Sequence, residues 1–431
     1  KQTSIGKLTS KKDATKVYEE DSDFKIDDPF ENVNAKDSEQ TIDRRSKGAK
    51  KRPQNQDSPR KKILKASNKL EKDEVINKPP DGKKKDDTKC NDVILQSQSE
   101  QFLHSRKELN EEQCEKLNQL FEKVFLVRMP NDFFHLWNFC LLIKRSNPRD
   151  ALLNCLNLTL IGPYDILIND ITSDLFEHLS DEVREQLLCH WRYFYDPPEF
   201  QTVIKGDDET GFHIGYFRDD PKDLNPVVAS NEASKSCDIH LIGDNLFVAI
   251  QSIIKQKLKK ADKEMQVGLH ALQRRLTEFC KSHDISLHNE RLKERSKKIV
   301  ARTFHGAGIV VPFENKVGYR ELPMNNASLK KLLKRVIDCN LDRERSRPYS
   351  ELQELFPLIN FANDECDFGM GLELGIDLFS FGDDYFHKQI CFLLTTAYQL
   401  LEREEFAQII TAHLKYRKRD LTDLNTLKII K

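Results

Sequence analysis

Apolar residues first recur at helical spacing near Glu108, after a long and mostly polar stretch. The runs ELNEEQCEKLNQLFEKVF and NDFFHLWNFCLLIK each place their large apolar side chains on one helical face. Strand-like runs follow, separated by turn residues: LTLIGPYDIL, HWRYFYDPPEFQTVIKGDDE, GFHIGYFRDDP and CDIHLIGDNLFVAI. Because helices bracket these strands, the pattern predicts a mixed α/β domain of the α+β class over residues 108–250.

A second region with a different pattern follows Ile250. It begins with a long charged helix, QSIIKQKLKKADKEMQVGLHALQRRLTEFCKSH, and closes into short strand pairs around Gly306 and Asn315. Three helical stretches come next, and the last is YFHKQICFLLTTAYQLLEREEFAQIITAHLKYRK. This pattern predicts a mainly helical α+β C-terminal domain over residues 251–418 and a short tail over residues 419–431.

Residues 1–107 show neither a helical nor a strand period. Of the 431 residues in the chain, 32% are charged and 38% are apolar, and this imbalance is concentrated in the N-terminal stretch. So polar a segment cannot bury enough apolar surface to offset its ordering entropy. We therefore expect a disordered basic N-terminal arm ahead of the two domains, with α+β as the fold class of the whole.

The arm is strongly basic, although the formal net charge of the chain is only −1. Residues 44–69 hold eleven Lys or Arg and a single acid. Two clusters flank a short spacer that contains proline: Lys50, Lys51 and Arg52, then Arg60, Lys61 and Lys62. Such clusters indicate a bipartite nuclear import signal or a contact with DNA phosphates. A solvated linker is the alternative.

Several function classes lack their motifs in this sequence. HGAGIVV has no third glycine for a phosphate-binding turn, and the twelve histidines form no set with zinc spacing. The ten cysteines contain no CxxC pair, which is typical of a reducing compartment. The apolar run ICFLLTTAYQLL is shorter than the roughly 20 residues that span a bilayer. We therefore expect no metal site, no cofactor bound by this chain alone and no membrane contact.

The stretch NDECDFGMGLELG, residues 363–375, combines four carboxylates with three glycines between two apolar runs that should be buried. These flanks predict a loop held firmly in place. A carboxylate among like charges and near apolar neighbours has a raised pKa, which makes it a better base. Asp364 and Glu365 are the candidates for that role, and the glycines would let the backbone of another molecule approach. The alternative is a helix end followed by a turn whose acids face water.

Six segments occur in order between residues 108 and 415: HWRYFYDPPEFQT, GYFRD, TFHGAGIVVP, VGYRELP, FANDECDFGMGLELGIDLF and YFHK. Together they resemble the histone PARylation factor family, the accessory proteins of DNA-damage-activated poly(ADP-ribose) polymerases. The resemblance implies a protein with no activity alone, which docks on the catalytic domain of the polymerase and completes a joint active site. The polymerase would hold NAD, and ADP-ribose would be transferred to serines of histones. The implied location is the nucleus, on chromosomes at sites of DNA damage.

The resemblance also implies roles for single residues. Beyond the general base, Glu365, they are Asp364, Tyr319 and Arg320 at the partner-binding surface and Asp367 and Lys388 near the site. Phe368 departs from the family pattern, which has tyrosine there. FGDDYFHK is more acidic before Tyr385 than the family pattern, which puts the contacts near it in doubt.

Two other functions fit part of the sequence. A glycosidase would need a second acid about 5 to 10 Å from the first. Glu373 has suitable spacing, but the only tryptophans for a sugar cleft are Trp137 and Trp191, both in the other domain. A chromatin or nucleic-acid scaffold would act through the basic arm, by contact with DNA, and would need no acidic site.

Overall fold

The computed structural model describes residues 108–169 and 171–430. The α+β class is confirmed within this part of the chain, which contains a five-stranded antiparallel sheet and many helices. The arm predicted over residues 1–107 and its two basic clusters lie outside the described residues. No helix in the described part is long and apolar enough to cross a bilayer. Within the same residues, no group of three or more His, Cys, Asp and Glu side chains could hold a metal ion.

The first part of the described chain combines helices with the sheet. Its helices are α1 (Glu111–Phe125), α2 (Asn131–Ile143), α3 (Leu153–Leu156), α4 (Tyr164–Ile168), α5 (Asp181–Leu187), α6 (Leu246–Lys260) and α7 (Lys263–Ser282). Its strands are β1 (Thr159–Leu160), β2 (Phe200–Lys205), β3 (Phe212–Phe217), β4 (Val227–Glu232) and β5 (His240–Gly243). The side chains of Asn110 and Gln113 each accept the backbone N–H of the other, so local sequence fixes the start of α1.

The sheet is an antiparallel meander in the order β1-β2-β3-β4-β5. The central strands β2, β3 and β4 are buried along nearly their whole length, so other parts of the chain cover both faces. Tyr216 belongs to the large hydrophobic cluster on one face, and its neighbour Phe217 to a smaller cluster on the other. Gly215 allows β2 and β3 to approach, because a Cβ there would lie 2.3 Å from the Gln201 carbonyl oxygen.

Two of the strand-like runs fold differently from their prediction. LTLIGPYDIL forms only the short strand β1, because Gly162 turns the chain with a φ of 66° before α4 begins. HWRYFYDPPEFQTVIK is irregular until β2 begins at Phe200. Pro197 and Pro198 come just before that strand, and proline lacks the N–H that a strand ladder needs. The strand therefore starts later than its apolar pattern predicts.

The second part of the described chain is mainly helical. Its helices are α8 (Glu290–Lys298), α9 (Asn326–Asp338), α10 (Asp342–Gln353), α11 (Leu355–Asp364), α12 (Gly369–Phe381), α13 (His387–Leu400) and α14 (Glu404–Tyr416). The strand pairs predicted around Gly306 and Asn315 are the isolated bridges Ala301–Ile309 and Glu314–Val317. α12 is buried along almost its whole length and packs against α13, so it forms the centre of this part.

The hydrophobic core contains two large clusters. The first combines side chains of the sheet with those of α1, α2, α6 and α7. The second begins at Ala301 and contains side chains from α9 to α14. The boundary predicted at Ile250 lies inside α6, where Ile250 and Ile254 both belong to the first cluster. Leu427, within the predicted tail, also belongs to the first cluster, so the end of the described chain packs against its beginning.

Buried polar contacts join the two parts. The Tyr398 hydroxyl donates to Glu199 Oε1 at 2.8 Å, and Arg403 donates to the Val310 carbonyl oxygen at 3.1 Å. Hydrogen bonds in a dry interior are strongly directional. They therefore help to fix the orientation of the helical part against the sheet.

Candidate functional site

The acidic stretch at residues 363–375 is a helix end, a tight turn and a second helix. At the end of α11, the Glu365 N–H donates to the carbonyl oxygens of Phe361 and Ala362 at 3.2 and 3.1 Å. Cys366 has a φ of 65°, in the left-handed region, which reverses the chain before α12 begins. The alternative geometry of a helix end followed by a turn is therefore the observed one, and the predicted loop is short and well bonded.

Asp367 ties this turn to the chain segment that contains Arg320. Asp367 is 6% exposed. Its Oδ1 accepts from the Gly318 N–H at 3.0 Å, and its Oδ2 accepts from Arg320 Nη2 at 2.9 Å. The Gly369 N–H donates back to the Gly318 carbonyl oxygen at 2.9 Å. Charge-assisted bonds of this kind are the strong ones, so the turn and the segment form one unit.

Arg320 connects this buried anchor to an exposed carboxylate. Its Nη2 donates to Glu365 Oε2 as well as to Asp367. The side chain of Glu365 is 63% exposed and that of Arg320 is 43% exposed. The hydrogen bond from Arg320 to Glu365 raises the pKa of Arg320. Because an exposed ion pair contributes little stability, the chief effect of Arg320 is to orient Glu365.

Tyr319 points its hydroxyl toward the interior. The hydroxyl donates to Glu373 Oε2 at 3.0 Å, and Glu373 is 6% exposed in α12. Glu373 is therefore not a second exposed acid beside Glu365, as the glycosidase alternative needs. One helical turn later, the buried Asp377 accepts from the Phe304 N–H at 2.8 Å. Burial raises the pKa of Glu373 to about 7 and that of Asp377 to about 8.

The stability of the folded part is expected to fall as the pH rises from about 5 to about 8. Asp377 has an ordinary pKa of 3.8 and a folded pKa of about 8, so in this window the folded protein binds more protons than the unfolded chain. Asp377→Asn keeps an acceptor for the Phe304 N–H and does not titrate. It should reduce the slope of stability against pH in urea unfolding, although Glu373 still contributes. An unchanged slope would show that Asp377 is not the group responsible.

The glycines of the acidic stretch pack within the protein itself. A Cβ at Gly375 would lie 2.5 Å from Leu394 Cδ2, and one at Gly369 would lie 3.0 Å from the Gly318 carbonyl oxygen. The first glycine lets α13 pack closely on α12, and the second lets the segment before Arg320 do so. The close approach predicted for another molecule is made here by neighbouring parts of the same chain.

An exposed apolar face lies beside the acids and is not evident from the sequence. The run ELFPLINFA predicts a buried element, yet Phe361 is 62% exposed and Leu358 is 42% exposed. Ile359 and Ala362 supply the buried face of the same helix. Phe361 lies three residues before Asp364 and so on the same side of α11. Exposed aromatic side chains near charged groups are typical of protein-binding surfaces.

The structure joins three of the site residues directly and places two others at the surface. Hydrogen bonds connect Arg320 with both Glu365 and Asp367. Asp364 is exposed at the end of α11. Lys388 is exposed on α13, where it lines a shallow depression of about 300 Å³ together with three aromatic side chains.

The protein presents its carboxylate at the surface and does not enclose it. Glu365 is exposed and is held by Arg320, which is anchored in turn by the buried Asp367. Ligand pockets of enzymes instead bury most of their ligand. An oriented acid on an α+β scaffold, beside the exposed Phe361, defines a protein that acts through an interface with another molecule.

Comparison with known proteins gives the family. A family model described as Histone PARylation factor 1 matches residues 116–417. Histone PARylation factor 1 of Mus musculus is 44% identical over 313 residues, which cover 71% of this chain and 88% of the mouse protein. The proteins of the same name from Bos taurus and Danio rerio are 45% and 43% identical, over 71% and 72% of this chain and 88% of each relative. The chain belongs to the histone PARylation factor 1 family, which confirms the resemblance.

Proposed function

We propose that this chain is an accessory factor that docks on the catalytic domain of a poly(ADP-ribose) polymerase and supplies Glu365 as a general base. The polymerase holds NAD, and the joint active site transfers ADP-ribose to serines of histones in the DNA damage response. The printed name of the relatives, a factor of histone PARylation, supports this class of partner and substrate. On this proposal the chain is no enzyme by itself and binds no cofactor alone.

The chemistry of the acceptor explains why an added base matters. Cleavage of the nicotinamide bond leaves a cationic ribose carbon, which a carboxylate acceptor attacks without losing a proton. A serine hydroxyl must lose its proton as it attacks. A polymerase with no base on the acceptor side would therefore modify Asp or Glu, and the carboxylate of Glu365 would shift the transfer to serine.

The observation that carries the proposal is that Glu365 is both exposed and oriented. Its side chain is 63% exposed yet is bonded to Arg320. A general base must come within about 3 Å of the proton that it removes, and an acid on an exposed turn can enter the active site of another protein. Phe361 and Asp364 on the adjoining α11 would supply apolar and charged contacts for docking.

The acids of the turn also suit the acceptor. Serines in histone tails lie among lysines, and the exposed side chains of Asp364 and Glu365 would attract that positive charge. Long-range attraction of this kind increases the association rate and weakens as salt is added. Salt should therefore slow modification of lysine-rich peptides more than that of neutral ones.

The proposal is tested by mapping ADP-ribosylated residues on histone-tail peptides treated with a purified polymerase and NAD, with and without this protein. Serine modification should require the protein, whereas modification of Asp and Glu should not. The protein incubated with NAD alone should modify nothing. Serine modification to the same extent without the protein would overturn the proposal.

Arg320→Ala should lower the rate of serine modification at saturating protein by about tenfold or more, because a carboxylate that is not held samples unproductive positions. Arg320→Lys should restore part of the rate, since lysine keeps the charge but not the fork that bonds two acids. The melting temperature should change little because the pair is exposed. Arg335→Ala is a matched control that breaks an exposed ion pair with Glu351. A full rate for Arg320→Ala would show that Glu365 needs no positioning.

We also propose that the basic clusters of residues 44–69 direct the chain to the nucleus and to chromosomes at sites of DNA damage. The test replaces six residues with Gln: Lys50, Lys51, Arg52, Arg60, Lys61 and Lys62. Nuclear accumulation or salt-sensitive DNA binding should fall, while the melting temperature of the folded part should not change. Survival of both localisation and DNA binding would make the run a linker only.

A further inference from the structure

A cavity of about 470 Å³ lies between the turn after α5, the end of α14 and the last segment of the described chain. Its polar wall includes Arg192 from the turn, His413 and Arg417 at the end of α14, and Lys418 and Lys428 beyond it. None of the residues that hold Glu365 lines this cavity. The cavity is therefore separate from the surface proposed for catalysis.

His413 is a buried polar side chain that faces this cavity unpaired. It is 2% exposed, and neither of its ring nitrogens has a hydrogen-bond partner among the described residues. Buried polar groups in folded proteins are almost always paired, because an unpaired one is costly. An unpaired imidazole in a cavity wall indicates that a molecule from solution occupies the cavity.

Arg417 offers an unused donor to the same cavity. Its Nε donates to the Phe194 carbonyl oxygen at 2.6 Å and its Nη2 to the Phe379 carbonyl oxygen at 2.9 Å. The guanidinium carbon lies 3.7 and 4.0 Å from the centres of those two rings, so its position is fixed. Nη1 is buried and has no hydrogen-bond partner in the described part of the chain. A guanidinium held in this way is suited to an oxyanion.

The wall of the cavity carries a net positive charge. Its permanent cations are Arg192, Arg417, Lys418 and Lys428, and its acids are Asp420 and Asp423. Asp420 accepts from the Thr422 N–H at 2.9 Å within its own turn, and Asp423 lies 3.6 Å from Lys428. Four cations against two acids leave two positive charges that no acid of the wall balances.

His413 is neutral in the empty cavity. Burial lowers its pKa well below the ordinary value, and the charges of Arg417, Arg192 and His387 lower it further. A neutral imidazole still donates one N–H. An anion in the cavity would accept that bond and would also offset the repulsion among the cations.

We propose that this cavity binds the phosphate group of a small molecule. The phosphate oxygens accept from Arg417 Nη1 and from the N–H of His413, and the lysines at the rim add attraction. The volume lies within the range of small-molecule sites, so it also accommodates the remainder of a phosphate ester, such as a nucleoside diphosphate derivative. This inference does not depend on Glu365 or on a polymerase partner.

Ordered water is the alternative occupant, because water also pairs buried polar groups. Calorimetric titration of the full chain with inorganic phosphate, pyrophosphate and ADP-ribose, at an ionic strength held constant with chloride, separates the two. At least one probe should bind saturably and raise the melting temperature. Tighter binding of ADP-ribose than of phosphate would assign the site to a nucleotide, and equal binding would assign it to the free ion.

Variants locate the binding. Lys418→Gln combined with Lys428→Gln should weaken it by about tenfold or more, since both side chains are exposed at the rim. Lys259→Gln combined with Lys260→Gln removes the same charge from the end of α6 and should leave the affinity within about twofold. His413→Leu should keep the fold and lose the binding. No saturable binding of any probe, or unchanged affinity in the rim variant, would overturn the proposal and leave water as the occupant.

Discussion

Glu365→Gln is expected to lower the rate of serine ADP-ribosylation by about 10²- to 10⁴-fold, the usual contribution of a general base. Glutamine has nearly the same size and still accepts a hydrogen bond from Arg320, but it cannot take the proton of the serine hydroxyl. The measurement is the initial rate on a histone peptide at a saturating concentration of this protein. Affinity for the polymerase should change by no more than about threefold, since an exposed ion pair contributes little.

Two neighbouring acids provide matched controls for that change. Asp364→Asn alters an exposed acid at the proposed docking surface, so its loss should appear as weaker affinity that a higher protein concentration partly restores. Glu321→Gln removes an exposed charge next to Arg320 in the sequence and should affect neither rate nor affinity appreciably. A wild-type rate for Glu365→Gln under saturating conditions would contradict the general-base role and leave the acidic turn as a contact surface.

The fold class could be predicted because local periodicity survives in the structure. α1 and α2 each bury the apolar face that their spacing predicts. The division at Ile250 follows a real change of pattern, but α6 and α7 complete the core beneath the sheet. A contact between distant segments leaves no mark in local spacing, so the sequence does not show which cluster a helix joins.

The chemistry of the candidate site could be predicted more readily than its construction. Arg320 and Glu365 are separated by 45 residues and meet only in the folded chain. Asp367 lies two residues after Glu365, yet it is buried while Glu365 is exposed. The left-handed turn at Cys366 decides which carboxylate faces inward. The phase of α11 likewise leaves Phe361 exposed within a run that reads as core.

The position of Glu365 depends on a glycine outside the acidic stretch. Gly318 has a φ of 121°, a backbone conformation that is essentially restricted to glycine. A Cβ at this position would lie 1.9 Å from the Pro312 carbonyl oxygen. The N–H and carbonyl oxygen of Gly318 bond to Asp367 and Gly369 respectively. The glycine therefore sets the place of Asp367, and through it that of the side chains that hold the base.

Gly318→Ala is expected to lower the free energy of unfolding by about 3 kcal/mol, because it combines backbone strain with a steric clash. It should also lower the serine modification rate of the remaining folded protein by about 10²-fold, since a shift of about 1 Å in a catalytic group has that effect. Gly306→Ala is the matched control: Gly306 has a φ of 80°, but a Cβ there would meet no atom within 4 Å. That variant should lose about 1 kcal/mol from strain alone and keep its rate. Urea unfolding and saturating rate assays measure both quantities, and a full rate for folded Gly318→Ala would show that the bonds from Gly318 do not position Glu365.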